Sequence, residues 1–153
     1  MAFSIFFATS TGKTEDIADR LKELLPGTEA KDVDGISSVD ELASAEALIC
    51  CVPTWNTGAD EARSGTAWDD LAQEIPDQDF AGKPVAILGL GDSSGYSDFF
   101  CDAMEELYSA FSKSGAKMIG KVATDGYTYD DSKSVVDGKS VSYTHLRAHE
   151  TAC

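Results

Sequence analysis

Histidine is confined to positions 145 and 149 of a 153-residue chain, so residues 1–140 contain no imidazole. Neither a Ser-His nor a Cys-His nucleophile pair is therefore available there, and acyl transfer through the usual triads has no support. Cysteine is scarce, with four in all. Cys50 and Cys51 are neighbours in an apolar run and Cys101 lies in a helical pattern, so none has zinc-ligand or C-x-x-C spacing. Buried free thiols in a reducing compartment are the favoured reading, and no metal site is expected. Basic residues are few: 12 Lys+Arg stand against 27 Asp+Glu, a net charge of −15. That balance argues against nucleic acid or anionic membrane as a partner, and fits either simple solubility or a basic protein partner. No apolar stretch reaches the roughly 18 residues that a membrane span requires. The first residues, M-A-F-S-I, carry no basic region, so they read as a strand and not as a signal peptide. A soluble chain is expected.

What is present is a regular alternation. Residues 3–8, 47–52 and 84–90 are short, apolar runs, the pattern of parallel strands buried on both faces. Residues 29–33 form a candidate second strand, and 117–123 begin a fifth. Helical patterns lie between them. One spans 15–25, with Ile17, Ala18, Leu21, Leu24 and Leu25 on one face and Pro26-Gly27 as its stop. A short helical turn follows at 39–42, and a helix surrounds Trp68, Leu71 and Ala72 in the acidic stretch 59–73. The last, 99–114, carries Met104, Leu107, Tyr108 and Phe111 at helical spacing and stops at Gly115. At this length one core and one domain are expected. The alternation predicts an α/β, doubly wound parallel sheet with right-handed crossovers, and ligands bind such sheets beyond the carboxyl ends of the strands. Loops 9–14, 53–58 and 90–98 follow strands one, three and four, which predicts that they meet on one edge.

The first loop, Thr9-Ser10-Thr11-Gly12-Lys13-Thr14, places four hydroxyls in six residues at the start of a helix. Free backbone N–H groups and the positive end of the helix dipole point to the same spot, which makes a pocket for a phosphate. The spacing is neither Walker A nor G-x-G-x-x-G. Hydroxyls replace the glycines of those motifs, so a terminal monophosphate is the expected ligand. The alternative is an ordinary capped turn, although four hydroxyls are more than a cap needs.

T-S-T-G-K-T after a first strand resembles the phosphate loop of the flavodoxins. Pro53-Thr54-Trp55-Asn56-Thr57-Gly58 is similar to their P-T-W-x-x-G loop, and Gly91-Asp92-Ser93-Ser94-Gly95-Tyr96-Ser97-Asp98 to their G-D-x-x-x-Y-x-D loop. The three stand in the family's order and cover most of residues 1–140. The resemblance implies a five-stranded sheet in the order 2-1-3-4-5 with helices on both faces. It also implies non-covalent FMN and a low-potential one-electron carrier, not an enzyme. By the same resemblance Thr9, Ser10, Thr11, Gly12, Lys13 and Thr14 hold the phosphate, and Trp55 and Tyr96 sandwich the flavin ring. Asn56, Thr57 and Gly58 approach the flavin's N5 edge, where the Asn56–Thr57 peptide reorients on reduction, and Pro53 and Thr54 before them belong to the cofactor site. Leu90, Gly91, Asp92 and Asp98 complete the site, and the carboxylates set a negative field against an extra electron. The partners implied are basic redox proteins, such as a reductase of the ferredoxin/flavodoxin-NADP type or a photosynthetic donor. A monomer is expected, in the cytoplasm or, where a presequence has been removed, in the plastid stroma. The alternative is an FMN-dependent NAD(P)H:quinone oxidoreductase of the same fold; the acidic insertion and the lack of a pyridine-nucleotide signature favour the carrier.

Residues 124–138 are polar and turn-rich after only half a strand, and resemble the insertion that splits the fifth strand in the long-chain group. From Val141 the texture changes. V-S-Y-T-H-L-R-A-H-E-T resembles the conceptual translation of a transposase adapter used in preparing DNA sequencing libraries. The expectation is a truncated FMN-binding domain over 1–140, its last strand incomplete and its final helix missing, and a non-native tail over 141–153. Both histidines fall in that tail, which removes an H-x-x-x-H metal pair from consideration. An uncovered apolar sheet face is the predicted consequence.

Overall fold

The computed structural model describes residues 2–56, 58–91 and 101–120, with the backbone alone of 122–123, 135–136, 139–140 and 143–146. Along the chain, β1 (Phe3–Phe7), α1 (Lys13–Leu24), β2 (Glu29–Asp32), α2 (Asp40–Ala43), β3 (Ala47–Pro53), α3 (Trp68–Glu74), β4 (Pro84–Gly91), α4 (Ala103–Lys113) and β5 (Lys117–Ile119) alternate. The strands pair in parallel in the order β2-β1-β3-β4-β5, as expected. Ile5 lies between Ala30 and Ile49, and Val52 lies beside Gly89.

Period-two alternation sends successive residues of the central strands into different layers. Phe6, Ala8, Leu48, Cys50, Val52 and Ile87 face one side, where Trp68, Leu71, Met104, Leu107 and Phe111 of α3 and α4 cover them. Phe80 packs edge-on against Phe111 with ring centroids 5.1 Å apart, and the Trp68 indole N–H donates to the Cys51 carbonyl at 2.9 Å. Ile5, Phe7, Cys51, Leu88 and Leu90 face the other side, against Ala18, Ile17 and Leu21 of α1. That side is thinner. Among the described residues α1 is its one helix, and a groove of about 440 Å³ opens beside it over Ile49, Ala86 and Leu88, with Leu24 75% exposed at its rim.

Beyond shifts of one residue, four features differ from the sequence reading. Helix α1 starts at Lys13, two residues early, because Gly12 takes φ +89° and turns the chain into the helix before its apolar stripe begins. Helix α4 starts at Ala103 instead of 99, after Cys101 at φ +55°. The fifth strand is interrupted: Gly120 at φ +83° ends β5, and β6 (Val122–Ala123) joins a small antiparallel sheet with β7 (Val135–Val136) and β8 (Lys139–Ser140). The stretch read as turns thus contains β7. Finally, β9 (Tyr143–Leu146) runs parallel to Leu88–Gly91 of β4, although the sequence predicts no element there. Tyr and Thr suit strands, and an open strand edge accepts an extended segment of any origin.

Candidate functional site

The sheet brings the carboxyl ends of β1, β3 and β4 side by side. Pairing continues just past them: the Ala8 N–H donates to Cys51 O at 3.4 Å, and the Thr54 N–H to Leu90 O at 3.1 Å. The chain therefore leaves all three strands on one edge, with the described segments 9–14 and 53–58 starting side by side there.

The first segment is built to offer donors. The Gly12 N–H donates to Thr9 Oγ1 at 2.8 Å, which curls the loop under the helix. The first bond of α1 runs from the Asp16 N–H to Gly12 O at 3.0 Å, so the amides of Lys13, Thr14 and Glu15 have no acceptor in the helix. Ser10, Thr11 and Lys13 are exposed and Thr14 is buried. Among the described residues, the hydroxyls of Ser10, Thr11 and Thr14 make no hydrogen bond within the chain. They are not spent on capping.

The second segment is bonded to itself and to α4. Pro53 and Thr54 are buried at the end of β3, Trp55 is half-buried, and Asn56 and Gly58 are exposed. The carbonyl of Arg63 accepts from the N–H groups of both Trp55 and Asn56, at 3.1 and 3.0 Å. Asn56 Nδ2 donates to Ala62 O at 2.6 Å. The Arg63 side chain, 6% exposed, then reaches across to α4. Its Nε donates to Glu106 and its Nη2 to Glu105, each at 2.7 Å, and its Nη1 to the Asp102 carbonyl at 2.8 Å. Burial opposes the guanidinium charge, but the bonds to Glu105 and Glu106 outweigh it and raise its pKa. Thr54 Oγ1 makes a second tie by accepting the Ala103 N–H at 3.2 Å, so the cap of α4 comes from a loop 49 residues earlier. Beyond the turn, Asp69 accepts from the Ser64 and Gly65 amides, at 3.1 and 2.9 Å, and from the Ser64 hydroxyl at 2.6 Å. Gly65 takes φ +66°, and a Cβ there would lie 3.0 Å from Trp55 Cβ, so the turn needs a glycine to seat the indole. The indole N–H of Trp55 is buried without a partner, a deficit of about 1–3 kcal/mol.

Ala62 and Cys101 are the two non-glycine residues at positive φ among those described, +54° and +55°. Each conformation costs roughly 1–3 kcal/mol, and such strain gathers at functional sites. One precedes Arg63 and the other precedes Asp102, the two ends of the same hydrogen bond.

In the third segment Leu90 is buried and Gly91 ends β4. Thr57, Asp92, Tyr96 and Asp98 lie outside the described residues. Sequence reasoning misses Arg63 altogether. The available signal was a lone arginine in the acidic run 59–73, matched by the adjacent Glu105-Glu106 on a later helix. The three described thiols are poor nucleophiles: burial raises Cys51 to about 12 and puts Cys50 and Cys101 well above the ordinary range.

The family model described as Flavodoxin matches residues 5–137. A flavodoxin from Nostoc is 40% identical over 139 residues, which is 90% of this chain and 79% of that one. Flavodoxin 1 of Escherichia coli is 37% identical over 135 residues, covering 87% and 74%. Among solved structures, that of Fusobacterium nucleatum flavodoxin bound to flavin mononucleotide superposes with a TM-score of 0.82 at 30% identity, over 94% of this chain and 84% of that one. Sequence likeness this extensive, on a sheet with the matching strand order, means that the chain belongs to the flavodoxin family.

Proposed function

We propose that this chain is an electron carrier that holds FMN, without a covalent bond, at the shared edge of β1, β3 and β4. Bound FMN supplies reversible one-electron chemistry, while the protein supplies binding, orientation and field. The observation that carries the reading is at the start of α1, where three backbone amides and three nearby hydroxyls have no hydrogen-bond partner among the described residues. In this reading the Lys13, Thr14 and Glu15 amides and the Ser10, Thr11 and Thr14 hydroxyls take the phosphate, assisted by the helix dipole. Thr9 and Gly12 set the loop's shape, and the exposed Lys13 ammonium adds positive charge.

Trp55 supports one face of the ring and Tyr96 the other. Its unpartnered buried indole N–H suits a neighbour that brings an acceptor. Pro53, Thr54, Asn56, Thr57 and Gly58 line the ring's edge with Leu90 and Gly91, while Asp92 and Asp98 lower the potential by opposing added negative charge. The redox partner is a basic protein, met through the acidic rim that includes exposed Asp60, Glu61 and Asp70. Buried, reduced thiols suit a reducing compartment. Electron transfer to a basic reductase then slows as the Debye length falls from ~30 Å at 0.01 M salt to ~3 Å at 1 M. A rate indifferent to salt leaves the acidity as a solubility device.

The site itself is tested by titrating the flavin-free chain with FMN and with riboflavin. Thr11→Ala combined with Thr14→Ala weakens FMN far more than riboflavin, which has no phosphate. Equal losses for the two ligands, or no binding of FMN by the unsubstituted chain, overturn the assignment.

A further inference from the structure

We infer that Arg63 is a positioning residue for the flavin site, a latch that fixes the Trp55–Asn56 turn to the first turn of α4 and so sets the ring-binding surface before any ligand arrives. The inference rests on the reading of the site given above. Its basis is that one residue acts at both ends. The backbone carbonyl takes the two amides of the turn, and the guanidinium takes Glu105, Glu106 and the Asp102 carbonyl on α4. The latch thus joins the segment after β3 to the start of α4. Thr54 joins the same two elements through the Ala103 amide.

A structural ion pair alone does not explain the rest of the arrangement. The strained backbones of Ala62 and Cys101 sit immediately before the latch's two ends, and strain is retained where surrounding contacts fix a required geometry. A fork that engages three acceptors on one helix also holds direction, which a lysine ammonium cannot do. Preorganisation of this kind removes the cost of ordering a loop on binding.

The test uses the full chain and its Arg63→Gln variant, with Glu105→Gln/Glu106→Gln as a second variant that leaves Arg63 in place. Without flavin, amide hydrogen exchange is followed at Trp55 and Asn56, with Cys50 and Val52 of β3 as internal references. Exchange at the turn accelerates by about tenfold while the references hold, the scale of one net charge-assisted hydrogen bond. With flavin, the dissociation constants of FMN and riboflavin rise by the same factor, because the latch acts on the ring and not on the phosphate. Arg63→Lys recovers only part of either effect. Unchanged exchange at Trp55 and Asn56 overturns the latch, as does equal acceleration at the references, which marks a residue of general stability. A loss of FMN affinity that spares riboflavin also overturns it. Should the unsubstituted chain bind no flavin, the functional reading fails and the exchange measurement still decides whether the latch exists.

Discussion

The loops after β1 and β3 stand next to each other on the sheet and are organised in opposite ways. Residues 9–14 contain one internal side-chain bond, from the Gly12 amide to Thr9, and leave their other hydroxyls free. Residues 53–69 turn a large share of their described polar groups onto the chain itself, through Arg63, Asn56, Ser64, Asp69 and Thr54. Under the function proposed above, the difference follows from what each holds. A phosphate brings its own charge and many acceptor oxygens, so a loop that meets it keeps donors available. A planar ring brings mostly surface, and a wall for it must be rigid beforehand because stacking rewards only correct placement.

The strongest way to break this contrast is to cut the second loop's anchor. Glu106→Ala removes one of the two carboxylates, each at 2.7 Å, that hold the buried guanidinium, and loss of one partner of a buried pair costs roughly 3–5 kcal/mol, less where a second partner such as Glu105 remains. Glu106 keeps 17% of its side chain exposed, which places the loss at the lower end. Urea unfolding of the flavin-free chain measures it. Next in size is Gly65→Ala, which forces a side chain into the left-handed region and against Trp55. The backbone term alone is about 1–2 kcal/mol, and a shifted indole emission should accompany it; an unmoved spectrum would show that Trp55 does not depend on that glycine. In the first loop, Ser10→Ala with Thr11→Ala changes the stability of the flavin-free chain by no more than about 0.5 kcal/mol, as befits exposed groups without partners. A loss matching that of Glu106→Ala would erase the contrast.

The mildest effect lies outside both loops and serves as a reference for ordinary surface bonding. Glu41 is held at about 2, below its usual 4.5, by Lys31 and by the Ser37 amide and hydroxyl. Its folded pKa is depressed, so its contribution is present above pH 4.5 and disappears as pH falls from 4.5 to 2. Glu41→Gln should flatten that part of the acid unfolding curve and leave the curve above pH 5 unchanged.

The parts of the molecule that could be read from the chain alone are those whose cause is local. The runs at 3–8, 47–52 and 84–90 announce β1, β3 and β4, since strands buried on both faces need apolar residues without interruption. The hydroxyl-rich loop is likewise contiguous. The start of α4 could not be read, because Thr54 supplies its cap from 49 positions away. Arg63 could not be read either, as Glu105 and Glu106 lie 42 and 43 residues further on and only the sheet brings them within reach. Strand β9 was hidden for another reason: four residues of modest strand preference acquire a partner only where β4 leaves an edge.

Cys50 and Cys51 are consecutive, free and fully buried, yet they belong to different hydrophobic layers, the first under α3 and α4 and the second under α1. Their suppressed ionisation protects both from alkylation while the sheet is closed. The pair is a native reporter of unfolding order. In a timed pulse of thiol reagent in dilute denaturant, separation of the face with one described helix modifies Cys51 first, whereas a single cooperative opening modifies both together. Two adjacent sulfur atoms thus time the two sides of the molecule without any engineered label.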